Sequence, residues 1–232
     1  MRDRQAEILA LLRRVEAEHG VEVVYACESG SRAWGFASPD SDFDIRFLFQ
    51  HPRREYLRVL PPADTIELPI DDDLDPGGWD VRKAAGLMRK SNGPLLEWLH
   101  SPIVYKAEPG VLDRWRGAAT ASLRPRNLAD HYRGLAKQMW LSNLQGEAVR
   151  AKDYLYALRA LACCRWTLEY ESIPPVPFDG AKKALPAEIQ ERIPDLLAWK
   201  ARSAEAEVME RVGAIDRFIP AEIDDLVERI EA

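Results

Sequence analysis

The sequence predicts an α+β fold: a mixed-sheet half over residues 1–110 followed by an all-helical half over 111–232. Three observations carry that expectation. β-Branched or alternating apolar runs fall in the first half, at 21–27, 43–49 and 64–70. Beyond residue 110 almost every apolar pattern repeats at helical spacing. Strands first and helices afterwards are the order of an α+β protein, and 232 residues suffice for two modest domains.

The elements follow in order. Residues 3–18 place Ile8, Leu9, Leu12 and Val15 on one helical stripe, with Asp3 as a possible cap and Gly20 as a stop. VEVVYAC (21–27) reads as a buried strand and FDIRFLF (43–49) as a second. A third strand is expected over 64–70. A solvated acidic turn at 71–73 and an extended stretch reaching Trp79 come next. Helical pattern resumes at 81–90, and the Asn92-Gly93-Pro94 turn introduces a helix over 95–100. One last strand, 103–106, ends the mixed half. Helices are then expected over 111–120, 128–144, 151–171, 187–200 and from 205 to the C-terminus, interrupted by the Pro-rich crossover at 173–178.

Composition narrows the function classes. With 32 basic against 38 acidic residues the net charge is −6, which argues against bulk coating of DNA or RNA while leaving room for a local basic groove. No apolar run approaches the roughly 18 residues of a membrane span, so a soluble, cytoplasmic protein is expected. Three scattered cysteines, Cys27, Cys163 and Cys164, offer neither a disulfide framework nor a zinc site and read as buried thiols. The four histidines have no ligand spacing and read as surface or capping residues.

The chemistry concentrates in ESGSRAWGFASPDSDFDIRF (28–47). Carboxylates at i and i+2 on a strand share a face, so Asp42 and Asp44 are placed to share a divalent cation. Hard oxygen donors without histidine point to Mg2+, with Mn2+ as a variant. Asp40, Asp42 and Asp44 also mimic the start of an EF-hand, but Ile45 stands where that loop needs Gly and His51 where it needs Glu. Upstream, Gly30 permits close backbone approach and Ser31 would face an anion if it opens a short helix. A phosphate cradle beside paired carboxylates suits metal-assisted phosphoryl or nucleotidyl transfer.

This Gly-Ser, spacer, Asp-x-Asp arrangement resembles the polymerase-β-type nucleotidyltransferase superfamily. The longer stretches ACESGSRAWGFASPDSDFDIRF, GWDVRK and KDYLYALRAL resemble a bacterial branch of predicted nucleotidyltransferases within it. The resemblance implies that Gly30 and Ser31, with Arg32 beside them, hold a nucleoside triphosphate such as ATP and that Asp42 and Asp44 bind the metals. It also implies a third carboxylate that assists the acceptor hydroxyl. Asp75 and Asp80 both remain open for that role, since Asp75 lies in the extended stretch and Asp80 could instead cap the next helix. In the helical half, Lys152, Tyr156 and Arg159 lie at i, i+4 and i+7, and the resemblance suggests that their helix grips nucleotide. Arg114, Arg116, Arg124, Arg126, Arg133 and Lys137 form a second basic stretch that reads as general surface. Trp34 is expected to rim the pocket or to anchor its loop on the helices. The implied reaction is Mg-dependent transfer of a nucleoside monophosphate to an unidentified acceptor (RNA end, protein or small molecule). A non-catalytic nucleotide-binding or regulatory module is the competing class, and a metal-dependent phosphohydrolase a weaker one.

Overall fold

The computed structural model describes residues 4–71, 73–202 and 207–231. Helix α1 (Gln5–His19) turns Ile8, Leu11, Leu12 and Val15 inward and ends at Gly20, whose φ of 62° is a left-handed helix stop. The expected cap Asp3 lies outside the described residues; Arg4 stands at that position instead. Strand β1 (Glu22–Glu28) runs into a one-turn helix α2 (Gly30–Ala33), then β2 (Phe43–Gln50). Edge strand β3 (Thr65–Glu67) and β4 (Leu74–Asp80) follow, then α3 (Val81–Met88), α4 (Gly93–Leu99) and β5 (Val104–Ala107). The third strand is shorter than the 64–70 expected. Pro69 has no N–H to continue the ladder, so regular pairing is interrupted after the bond from Leu68 N to Pro76 O and resumes only as the isolated bridge between Asp71 and Leu74.

The five strands form one mixed sheet in the order β3-β4-β2-β1-β5. β2 and β4 are parallel, and Asp44 pairs with Asp75, Arg46 with Gly77 and Leu48 with Trp79. The remaining pairs are antiparallel. Strand alternation divides the sheet cleanly. Ile45, Phe47 and Phe49 pack with Ile66 and Leu74 against the apolar stripe of α1. The other face sends Tyr25, Cys27 and Leu48 into a larger core shared with the helices.

Those helices are α5 (Val111–Ala121), α6 (Pro125–Asn143), α7 (Ala151–Tyr170), α8 (Phe178–Ala181), α9 (Ala187–Gln190), α10 (Ile193–Arg202) and α11 (Gly213–Glu231). α7 is buried along most of its length and is the axis around which the others pack. Three expectations need correction. The 187–200 helix is two, because Pro194 opens α10 and cannot donate backward to the end of α9. Strands do not stop at residue 110, since β6 (Ala148–Val149) pairs with β7 (Met209–Glu210). The last helix begins at Gly213; residue 205 lies outside the described residues. All three cysteines are free and buried. No helix among the described residues is long and apolar enough to cross a membrane.

Candidate active site

The turn between β1 and α2 approaches the start of β2 closely. Ser29 N donates to Asp44 O at 2.8 Å, and Gly30 adopts a φ of 59°. A Cβ at Gly30 would collide with Asp44 Oδ2, so glycine is required there on two counts, conformation and space. The first turn of α2 leaves the amides of Gly30, Ser31 and Arg32 without intrahelical partners. Ser31 itself is buried, and it is Ser29 and Gly30 that form cavity wall.

Asp44 and Arg46 project from β2 on the same side, and Asp75 projects from β4 directly opposite Asp44. Arg46 bridges the two: Nη2 donates to Asp44 Oδ1 at 2.9 Å and to Asp75 Oδ2 at 2.6 Å, while Nη1 donates to Asp75 O. Asp42 precedes the strand and is exposed. Burial pushes the Asp44 carboxyl up; Arg46 opposes that shift, Asp75 and Asp42 add to it, and Lys152 lowers it. Arg46 thus offsets only part of what burial costs the charged Asp44 carboxyl, and carboxylate oxygens are donors of the kind a hard divalent cation takes. Among the described residues no three His, Cys, Asp or Glu side chains already converge as a preformed metal cage.

Behind Asp44 stands Glu28, the last residue of β1 and fully buried. Its Oε1 accepts the Asp44 N–H at 2.8 Å, and its Oε2 accepts the hydroxyl of Tyr105 from β5. Burial lifts its carboxyl to about 7. Asp80 lies five residue pairs from the Asp44 rung, opposite Phe49, and roughly 16 Å along the strand at about 3.3 Å per residue. There it caps α3 by accepting Arg82 N at 2.8 Å and takes the Tyr56 hydroxyl. Of the two carboxylates left open by the sequence, the fold brings Asp75 to Asp44 and gives Asp80 a capping duty.

Arg32 is also directed elsewhere. It lies over the Phe43 ring at 3.7 Å and donates to Asp42 O and Ser41 O, stapling the Gly-Ser turn to the loop before β2. That loop is pinned from the helical half by buried Lys200, which donates to Ser38 Oγ, and by Phe178 N, which donates to Trp34 O.

A cavity of about 590 Å3 lies between Gly30, Asp44 and Arg46 on the sheet side and α4, α6 and α7 opposite. Tyr156 and Arg159 line it. Lys152 reaches it electrostatically through Asp44 and lies near the Tyr156 ring. Arg159 is buried, at 4% exposure. Its guanidinium packs over Trp34 at 4.2 Å and pairs with Glu97 Oε1 at 2.9 Å. Glu97 also accepts from Trp34 Nε1 and the Tyr132 hydroxyl. Trp34 thus both rims the cavity and anchors its loop on the helices. His131, expected on the surface, lines the cavity instead, and burial lowers its pKa. In the other basic stretch Arg116 donates to Leu99 O and Arg133 pairs with Asp130.

Sequence reasoning missed Arg46, Glu28, Glu97 and His131. Period-2 alternation would have found Arg46, two residues after Asp44. Glu97 stood out as a lone acid in the apolar run LLEWL.

With this geometry established, comparison places the chain among known proteins. Residues 4–232 match the family RlaP, described as an RNA repair pathway DNA polymerase beta family. The uncharacterized protein YcgL of Bacillus subtilis (strain 168) is 40% identical over 223 residues, covering 95% of this chain and 86% of that one. The crystal structure of spectinomycin adenyltransferase AAD(9) from Enterococcus faecialis, with ATP and spectinomycin, superposes with a TM-score of 0.52. It covers 99% of both chains at 14% identity, a likeness of fold.

Proposed function

The chain belongs to the RNA repair pathway DNA polymerase beta family, within the polymerase-β-type nucleotidyltransferases, and from that premise we propose that it transfers a nucleoside monophosphate from a nucleoside triphosphate to an acceptor hydroxyl. The observation that carries this reading is the cluster in which Asp44 and Asp75, partners on one parallel rung, are bridged by Arg46 and approached by Gly30. The family's place in RNA repair makes an RNA end the acceptor of choice.

A divalent cation held by Asp42 and Asp44, Mg2+ being the natural choice for oxygen donors, would offset phosphate charge in the cleft. The chain's own groups do the rest. The α2 amides and Lys152 orient the β- and γ-phosphates, and Tyr156 bounds the nucleotide from α7. Arg46 fixes Asp75 through Oδ2 and leaves Oδ1 to receive the proton of the acceptor hydroxyl. The acceptor oxygen forms its bond to the α-phosphorus as the bond to pyrophosphate breaks.

Incubating the protein with each α-labelled triphosphate, Mg2+ and short single-stranded RNA tests the assignment. Label should enter RNA with stoichiometric pyrophosphate, and Asp44→Asn should abolish transfer while circular dichroism stays unchanged. Full turnover by Asp44→Asn, or inorganic phosphate in place of pyrophosphate, would overturn it.

A further inference from the structure

Arg46 and Trp98, which line the cavity beside Asp44, also line a smaller trough of about 250 Å3. Strand parity builds its floor. On β4, residues 75, 77 and 79 share the half-exposed face, whereas Leu74, Pro76 and Gly78 are buried. Asp75 and Trp79 are thus separated, on that face, by a residue with no side chain. They lie roughly 13 Å apart at about 3.3 Å per residue. Arg46 of β2 flanks Gly77, and a Cβ there would meet the arginine Nη1 at 3.5 Å and Cδ at 4.0 Å, both ordinary van der Waals contacts. Trp79 is stacked on Trp98 of α4 with ring centroids 3.9 Å apart and planes 26° from parallel, and both indoles line the trough.

Resting on the nucleotidyl-transfer reading above, we propose that this trough is the acceptor subsite and that it takes the terminal nucleoside of a single-stranded RNA. The base lies against the indole pair and the ribose hydroxyl points back toward Asp75. A flat, rigid aromatic wall set beyond a carboxylate suits a planar ring carried on a hydroxylated sugar; an aliphatic polyol or a serine side chain makes no use of it. The trough is short, so only the end of the strand enters. That agrees with a chain whose net charge of −6 offers no bulk attraction for long nucleic acid.

The test measures binding of a short fluorescent single-stranded RNA to the full chain without turnover, against the same RNA ending in an abasic ribose. Stacking of one base is worth roughly 5- to 150-fold in affinity, so wild type should prefer the intact end by at least about 5-fold. Gly77→Val, which fills the floor, should erase that preference. Trp79→Phe should keep most of it. Affinity for a nonhydrolysable triphosphate, measured separately, should not follow the loss. A wild-type protein indifferent to the terminal base, or a folded Gly77→Val with the preference intact, overturns the subsite. If the preference exists and vanishes in Gly77→Val but no label is ever transferred, the reaction assignment falls and the subsite stands. Transfer to RNA with an unchanged acceptor KM in Gly77→Val does the reverse.

Discussion

Gly30 is the residue on which the site's geometry turns. Its φ of 59° and its contact with the Asp44 carboxylate leave no room for a side chain. Gly30→Ala should cost about 1–3 kcal/mol of stability through backbone strain, and it should cut turnover by displacing Asp44; urea unfolding and pyrophosphate release check both. Two buried titratable groups then set opposing slopes in the pH dependence of stability. The Glu28 carboxyl is raised to about 7, so the native state binds its proton more tightly than the unfolded chain, and its contribution weakens as pH rises from about 4.5 to 7. His131 is lowered, so the unfolded chain protonates first and stability falls as pH drops below 6.5. Glu28→Gln should flatten the first slope and His131→Gln the second, read from urea midpoints at pH 5.5 and 7.5. Unchanged slopes in both would refute the assignment. Local pattern made part of this geometry legible: the Gly-Ser turn and Asp44 at the start of β2 could be read from the sequence, whereas Asp42 lies before the strand, where the i, i+2 face rule does not place it. Glu28 and His131 were not legible, because their character comes from Tyr105, 77 residues away, and from burial beneath a tertiary cleft.

At the scale of the element, β4 carries two carboxylates in different settings. Asp75 faces Asp44 across a parallel rung, while Asp80, at the strand's end, satisfies the orphan amide of Arg82 and the Tyr56 hydroxyl. Asp80→Ala should destabilise by about 1–2 kcal/mol through loss of the N-cap and leave kcat near wild type at a temperature where the protein is folded. Asp75→Asn should do the opposite, lowering kcat at least about 100-fold as expected for loss of a proton acceptor with little change in unfolding midpoint. Equal loss of kcat in both would return Asp80 to the reaction. The sequence showed Asp80 preceding a helical run and showed Asp75 in an extended one, but not the register between β2 and β4 that decides between them. Parallel pairing joins residues some thirty positions apart, with no turn to fix it. Helix and strand order was readable throughout the mixed half because each element has its own apolar period. The errors fell where proline interrupts a periodic run, at Pro69 and Pro194, and where the ladder Ala148–Val149 with Met209–Glu210 is too short for any pattern.

Across the whole molecule, one carboxylate ties the sheet half to the helices. Glu97 on α4 accepts from Trp34 in the loop after β1, from Tyr132 on α6 and from Arg159 on α7. Burial works against the charge on Arg159, and Glu97, with Cys163 and Tyr132, together more than offset it, holding the guanidinium above its ordinary pKa. Glu97→Ala leaves that cation buried without its counter-ion, with only the Val176 carbonyl to accept from it, which should cost about 3–5 kcal/mol. Arg159→Met removes the charge but leaves the Glu97 carboxylate two donors, and should cost less. Because the shared term disappears only once, the double variant should be more stable than the sum of the single losses by at least about 1 kcal/mol. Activity should behave differently. Trp34 carries both the cavity wall and the backbone carbonyl that receives Phe178 N, so the double variant regains stability yet still binds triphosphate weakly. Urea unfolding of the four proteins, beside triphosphate titrations of each, separates the two effects. Additive stability losses would show that Glu97 and Arg159 act independently, and a double variant with wild-type triphosphate affinity would show that the wall does not depend on their junction.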